Sequence, residues 1–279
     1  ATASARQLDR LRELGLAVLM GTETGLRAAH HAVEYAAFQR ARSQPSREGF
    51  GAAAPPQQID ALRQRLKDAD AALDEHASKE LLSAYGLTTT REHAVERLED
   101  ALEAAREIGY PVALKTASGD LHKTERGGVV LGIANPDALA AAYRDFDLRL
   151  GPRALVQEMV AEGCELLLGM VTDPQFGPML TVATGGIFVE VLKDFRMLSL
   201  PTNASEVGRA LASLRGAPLL QGARGRPAAD LDAVVRAAVS LAALAADLGD
   251  AIAEIDVNPL VALPDRAVVV DALVVPKKA

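Results

Sequence analysis

Three oxygen-bearing side chains stand at alternate positions in Glu254-Ile255-Asp256-Val257-Asn258. A β-strand sends residues i, i+2 and i+4 to one face, so Glu254, Asp256 and Asn258 share a side and Ile255 and Val257 share the other. Pro259-Leu260 follows, then a turn at Pro264-Asp265-Arg266, then Ala267-Val268-Val269-Val270-Asp271. A hairpin folded about Pro264-Asp265 sets Asn258 opposite Asp271, with both side chains on one face of the ladder. Carboxylate and amide oxygens arranged in this way suit Mg²⁺, which takes one or two protein ligands and fills its shell with water and phosphate oxygens. A solvated sheet face shows the same alternation. Asp271, however, interrupts the apolar run Val268 to Val275, where an unpaired charge is costly. The spacing therefore predicts a metal corner of Asn258 and Asp271, with Asp256 beside it.

Further groups could address an anion. Lys115 closes the short apolar run Val112-Ala113-Leu114, and a strand-end ammonium can meet a phosphate as a point charge. A polar loop containing His122 follows, then Gly127-Gly128, whose unshielded amides could approach an anion or form a plain hairpin. His122 offers an imidazole that is nucleophilic near neutral pH, although a loop histidine needs no function. Glu158, in Gln157-Glu158-Met159-Val160, reads equally well as a nucleotide contact or as an ordinary strand-end carboxylate. Thr184-Gly185-Gly186, followed by Glu190, Lys193, Asp194 and Arg196, is a second glycine turn with charges downstream.

These groups need elements to carry them. Apolar periodicity predicts helices over 26–40, 59–85, 92–108, 136–148, 205–214 and 230–248. It predicts strands over 15–20, 112–115, 129–133, 154–160, 165–172, 179–184, 188–192, 252–263 and 267–275. Several strands follow one another without an intervening helix, which favours antiparallel or mixed sheets in an α+β arrangement. Residues 43–58, rich in Pro, Gly, Ser and Ala, read as a linker. Residues 1–42 are too short to bury a core of their own.

Composition narrows the partners. The 279 residues are 49% hydrophobic and 24% charged, which fits a globular chain. A net charge of −7 without a basic block argues against nucleic acid and anionic membrane surfaces. The lone Cys164 excludes an internal disulfide framework and fits the cytoplasm. No apolar run has the length of a membrane span.

Together, Lys115, the stretch from His122 to Val129, Gln157-Glu158-Met159-Val160 with Glu165, Asp173 to Pro178, Gly185 to Asp194, Pro218 to Gly225, and Glu254 to Leu260 resemble the ATP-grasp domain of ADP-forming acyl-CoA synthetases. These enzymes are relatives of ADP-forming acetyl-CoA synthetase and of the succinyl-CoA synthetase beta subunit. The resemblance runs in order over about residues 76–275. It implies two lobes whose sheets clasp ATP, about 76–154 and about 155–275, within a domain spanning 59–279. Residues 1–42 resemble the tail of the ligase domain that precedes this one in single-chain members. The chain then reads as the C-terminal piece of a longer protein or as a separately encoded subunit.

By the same resemblance, Lys115 contacts nucleotide phosphates and Gly127 and Gly128 cover them. Glu158 and Glu165 bind on the adenine and ribose side, with Gly185 and Gly186 in the same ATP-binding set. Asn258 and Asp271 hold Mg²⁺ near Asp256, and His122 carries a phosphoryl group. CoA and a carboxylic acid would be bound by upstream domains or an alpha-type subunit, and oligomerisation stays open. Arg196 stands earlier than the family's usual arginine, which leaves acetate-like and hydroxycinnamic (feruloyl-type) acids both open. A carboxylate–amine ligase and a non-catalytic nucleotide-binding regulatory module are the rival readings.

Overall fold

The computed structural model describes residues 5–19, 21–43, 55–116, 127–186, 193–222, 225 and 227–278. The chain divides into two units, Ala1–Arg47 and Glu48–Ala279. The first contains helices α1 (Ala5–Glu13) and α2 (Thr22–Ser43). The strand expected over 15–20 does not form: residues 16–19 lack regular structure, and Leu16 and Leu19 are each 54% exposed. A lone apolar segment without a pairing strand leaves its amides unsatisfied.

In the second unit, α3 (Pro56–Lys67) and α4 (Glu75–Ala84) replace the single helix expected over 59–85. The break lies at Asp74, whose carboxylate accepts from the Ala77 N–H at 2.8 Å and so starts a new helix. A second expected helix, over 92–108, is instead strand β1 (Glu92–Val95) followed by α5 (Leu98–Ile108). Antiparallel pairing of β1 with β4 overrides the helical period there. The strands β2 (Val112–Thr116), β3 (Val129–Ile133) and β4 (Ala154–Glu158), with helix α6 (Pro136–Leu150) between β3 and β4, complete a four-stranded antiparallel sheet in the order β1-β4-β2-β3. Its even-numbered residues Val112, Leu114, Ala154 and Val156 pack with Ala101, Ala105, Leu139, Tyr143 and Phe146 of α5 and α6. The opposite face, carrying Ala113, Lys115, Leu155 and Gln157, is left for the rest of the unit.

A second antiparallel sheet contains β5 (Cys164–Asp173), β6 (Gly177–Thr184), β7 (Phe195–Ser199), β8 (Ile252–Ala262), β9 (Ala267–Val269) and β10 (Ala272–Pro276). The order is β10-β8-β5-β6-β7, with β9 also on β8. β7 lies outside every expected strand, and the strand expected over 188–192 falls on residues that are not described. Helices α7 (Ala204–Ala212), α8 (Ala217–Leu220) and α9 (Leu231–Leu248) cover one face. Asp230 caps α9 by accepting from the Ala233 N–H at 2.9 Å. The largest core joins α4 and α9 to Leu166, Leu168, Met170, Leu180, Val182, Ile255, Val257, Ala272 and Val274. One face of the sheet is thus spent on the core, and the alternate residues line the other. Among the described residues, no helix is long and apolar enough to cross a membrane.

Candidate functional site

The sheet face opposite the core carries Asp256, one of the three residues read from the sequence as a cation corner. Asp256 pairs with Gly169 on β5 and with Leu273 on β10, and Gly169 pairs with Thr181 on β6. These partners share the face opposite the core. Gly169 puts no side chain beside Asp256; a strand-interior glycine often marks close approach by a ligand or backbone. That signal lay in the run Glu165 to Val171 but was not read from the sequence.

The hairpin has the expected register. Leu260 pairs with Val269 and Ala262 with Ala267, while Val257 pairs with Ala272 farther along. Between them the Asn258 N–H donates to the Asp271 carbonyl at 3.1 Å, and the Val270 N–H donates to the Pro259 carbonyl at 3.0 Å. The structure departs from the expected continuous strand over 267–275 by interrupting it at 270–271. On the other side of β8, Leu166 faces Leu260 and Leu168 faces Val257, so Asn258 and Pro259 together oppose Leu167. This is a β-bulge, a device that re-aims side chains beside functional sites. It switches the alternation: Asp256 faces the open side before it, and Val261 and Leu263 do so after it. Val261, Leu263 and Val268, with Val160 and Val270 against them, form a small apolar cluster separate from the main core.

Burial, together with the charges of Glu254 and Asp271, pushes the Asp256 carboxyl up to about 6. A divalent cation at Asp256 would relieve the repulsion that its carboxylate meets from these neighbours. Among the described residues, no three His, Cys, Asp or Glu side chains converge into a closed metal cage. That chemistry fits Mg²⁺ completed by phosphate and water rather than a structural metal.

Glu165, Gly185 and Gly186 come together beside this face. The Gly185 N–H donates to the Glu165 carbonyl at 2.8 Å. A Cβ on Gly185 would meet the Glu165 and Leu166 backbone at 2.6 to 2.8 Å, so only glycine fits. Gly186, at φ +83°, lies over the Glu165 carboxylate, whose Oε2 would be 3.2 Å from an added Cβ. The turn is braced by Asp194, which is 5% exposed. Its carboxylate accepts from Thr184 Oγ1 at 2.7 Å and from the Arg215 and Gly216 N–H groups at 2.9 Å each. Burial works to raise this carboxyl, but those donors and Arg196 hold it below its ordinary value. Arg196 itself donates to Ser213 Oγ and to the Ser213 carbonyl, which commits it to tying β7 to α7.

Lys115, expected from the sequence to meet a phosphate, has partners within the protein. It is 5% exposed and donates to Glu75 Oε1 at 2.6 Å and to the Val270 carbonyl at 3.1 Å. Glu75 also accepts from Lys79 at 2.8 Å, and Lys79 donates to Glu92 Oε2 at 2.6 Å. Burial alone would raise Glu75, yet Lys115 and Lys79 bring it down to about 2. The Glu158 carboxylate accepts from the Arg91 N–H at 3.0 Å and from Arg91 Nε at 2.8 Å, so its first partner is the arginine just before β1. Gly127, at φ +65°, and Gly128 sit at the start of β3, and the Thr116 N–H donates to the Gly128 carbonyl at 2.9 Å. His122 lies outside the described residues.

The sequence signature of the ATP-grasp domain matches residues 64–275. The chain is 35% identical over 227 residues to the beta subunit of the ADP-forming acetate–CoA ligase II of Pyrococcus furiosus, spanning 77% of this chain and 96% of that subunit. It is 30% identical over 273 residues to trans-feruloyl-CoA synthase FCS1 of an unknown prokaryotic organism, covering 95% of this chain but 37% of that longer protein. Among solved structures, the dinucleotide-forming acetyl-coenzyme A synthetase 1 of Ca. Korarchaeum cryptofilum superposes with a TM-score of 0.73 at 31% identity, over 79% of this chain and 100% of that one. The same enzyme, with coenzyme A and Mg-AMPPCP bound and its phosphohistidine segment pointing towards the nucleotide-binding site, gives 0.69 at 33% identity, over 78% and 99%. With its two antiparallel sheets and this signature over residues 64–275, the chain belongs to the ATP-grasp family, in the branch of the ADP-forming acyl-CoA synthetases.

Proposed function

We propose that this chain is the nucleotide-handling part of an ADP-forming acyl-CoA synthetase, which joins a carboxylic acid to CoA while ATP becomes ADP and phosphate. The observation that carries the reading is the pairing of Asn258 with Asp271 at the bulge beside Asp256, on the open face of an ATP-grasp sheet. Asn258 and Asp271 would hold Mg²⁺, with Asp256 adjacent; a divalent cation there neutralises charge on the β- and γ-phosphates. The apolar cluster of Val160, Val261, Leu263 and Val268 suits an adenine ring. Glu158 and Glu165 are assigned to the adenine and ribose side with Gly185 and Gly186 in the same set, and Lys115, Gly127 and Gly128 are assigned to the phosphates.

His122 is proposed as the phosphoryl carrier: its imidazole nitrogen takes the γ-phosphoryl group, ADP departs, and the group passes on toward the acid. CoA and the acid are assigned to an alpha-type partner or to upstream ligase domains. The first unit is assigned to that ligase part, because Leu14, Leu26, Val33 and Tyr35 are 62 to 68% exposed on it. The feruloyl-CoA relative, a longer chain, also matches through this segment.

The test is to incubate the chain, with and without its partner, with γ-labelled ATP and Mg²⁺. The expected result is protein-bound label, labile to acid and stable to base, that His122→Ala abolishes. Label that survives this substitution at the same rate and site removes His122 as the carrier.

A further inference from the structure

The outer edge of the β9–β10 run is held by pieces of the rest of the unit. The Val269 N–H donates to the Thr88 carbonyl at 2.9 Å, and the Thr90 N–H donates to the Val269 carbonyl at 3.2 Å. Farther on, the Leu73 N–H donates to the Val274 carbonyl at 2.9 Å, and the Val274 N–H donates to Ser78 Oγ at 3.1 Å. Val270 lies between these contacts. Its N–H is bonded to Pro259 on the inner side, but the strand is interrupted at 270–271, and there its carbonyl faces outward toward the four-stranded sheet. There the carbonyl accepts from Gln157 Nε2 at 3.0 Å and from Lys115 Nζ at 3.1 Å. The next residue is Asp271.

Gln157 is 1% exposed, which keeps it from touching a ligand in the cleft. Its amide nitrogen also lies 2.8 Å from Thr90 Oγ1, 3.0 Å from Glu92 Oε2 and 3.4 Å from Glu75 Oε1. Every one of these neighbours can accept, which fixes the amide with its nitrogen toward Val270. The surrounding charges close on themselves: Glu75 and Glu92 against Lys79 and Lys115. A fully satisfied buried network of this kind is stiff. We propose that Gln157 is a positioning residue for the cation corner. By gripping the Val270 carbonyl it fixes the backbone that presents Asp271 opposite Asn258, and so couples the four-stranded sheet to the metal ligands. The proposal rests on the cation reading of Asp256, Asn258 and Asp271.

The test uses the full chain with a non-hydrolysable ATP analogue and Mn²⁺, whose binding is followed by electron paramagnetic resonance. Gln157→Met is expected to raise the half-saturating cation concentration roughly 10-fold, the usual effect of losing a partner behind a metal ligand. Thr90→Val removes a hydroxyl from the same network without touching Val270. It is expected to lower the melting temperature while leaving cation half-saturation within about twofold, well short of that shift. Should Gln157→Met fail to fold, Gln157→Asn shortens the reach, keeps the polarity and carries the same expectation. Folded Gln157 variants with unchanged cation binding, or a Thr90→Val shift as large as theirs, overturn the proposal. Asp271→Asn separates the two ideas. If it too leaves cation binding unchanged, the cation reading has failed; if it alone weakens binding, only the positioning role has.

Discussion

Asp256 and Glu75 are the two carboxylates whose titration departs most from the ordinary, and they depart in opposite senses. The folded pKa of Asp256, about 6, lies above its ordinary 3.8. Its contribution therefore favours the fold at low pH and is lost as pH rises from about 4 through about 6. A bound divalent cation favours the charged form, so Mg²⁺ should compete with the proton. The expected result is that Mg²⁺ with nucleotide raises Tm more at about pH 7.5 than at about pH 5.5, and that half-saturating Mg²⁺ falls across that window. Glu75, lowered from 4.5 to about 2, stabilises the fold above its ordinary value and loses that contribution as pH falls toward 2. Glu75→Gln leaves two buried ammonium groups facing one carboxylate, at a cost of roughly 3–5 kcal/mol, read from urea unfolding. The pairing of Asn258 with Asp271 was legible in the sequence because a short turn fixes the register. Glu75 was not, since its partner Lys115 is 40 residues away and only the tertiary fold joins them. Gln157 was passed over in favour of its neighbour Glu158, because strand parity alone does not reveal which face looks into a cleft.

At the scale of elements, the bulge in β8 and the Asp194 brace do most to shape the open face. Asp194→Ala leaves the Arg215 and Gly216 N–H groups and the Thr184 hydroxyl without their acceptor. The expected loss is roughly 2–4 kcal/mol in thermal or urea unfolding, with weaker nucleotide binding, since the Gly185–Gly186 turn loosens with it. Gly185→Ala drives a methyl into the Glu165 backbone and should weaken nucleotide binding more than Gly208→Ala, where an added Cβ meets nothing within 4 Å. Titrating a nucleotide analogue into each variant checks the pair. The strands β2, β3, β5 and β6, mostly apolar runs, were legible to within two residues at each end. The misreadings fell where local pattern was outvoted: β1 by pairing with β4, and the α3–α4 break by the Asp74 cap.

At the scale of the whole molecule, the second unit has buried clusters of its own, drawn among the described residues from Leu66 onward. A chain truncated to residues 55–279 should therefore melt within a few degrees of the full chain, as followed by circular dichroism. Loss of cooperative unfolding on truncation would show that the first unit is part of the core. The sequence motifs gave the ATP-grasp assignment because the stretches that carry the resemblance are short and follow one another in order. The acyl specificity was not legible, since no residue here is assigned to the acid. The central claim concerns how ATP is split. The direct measurement is nucleotide product identity when this chain, with its alpha-type partner or upstream domains, turns over a carboxylic acid, CoA and ATP. The expected products are ADP and phosphate in one-to-one proportion with acyl-CoA; AMP and pyrophosphate would contradict the account.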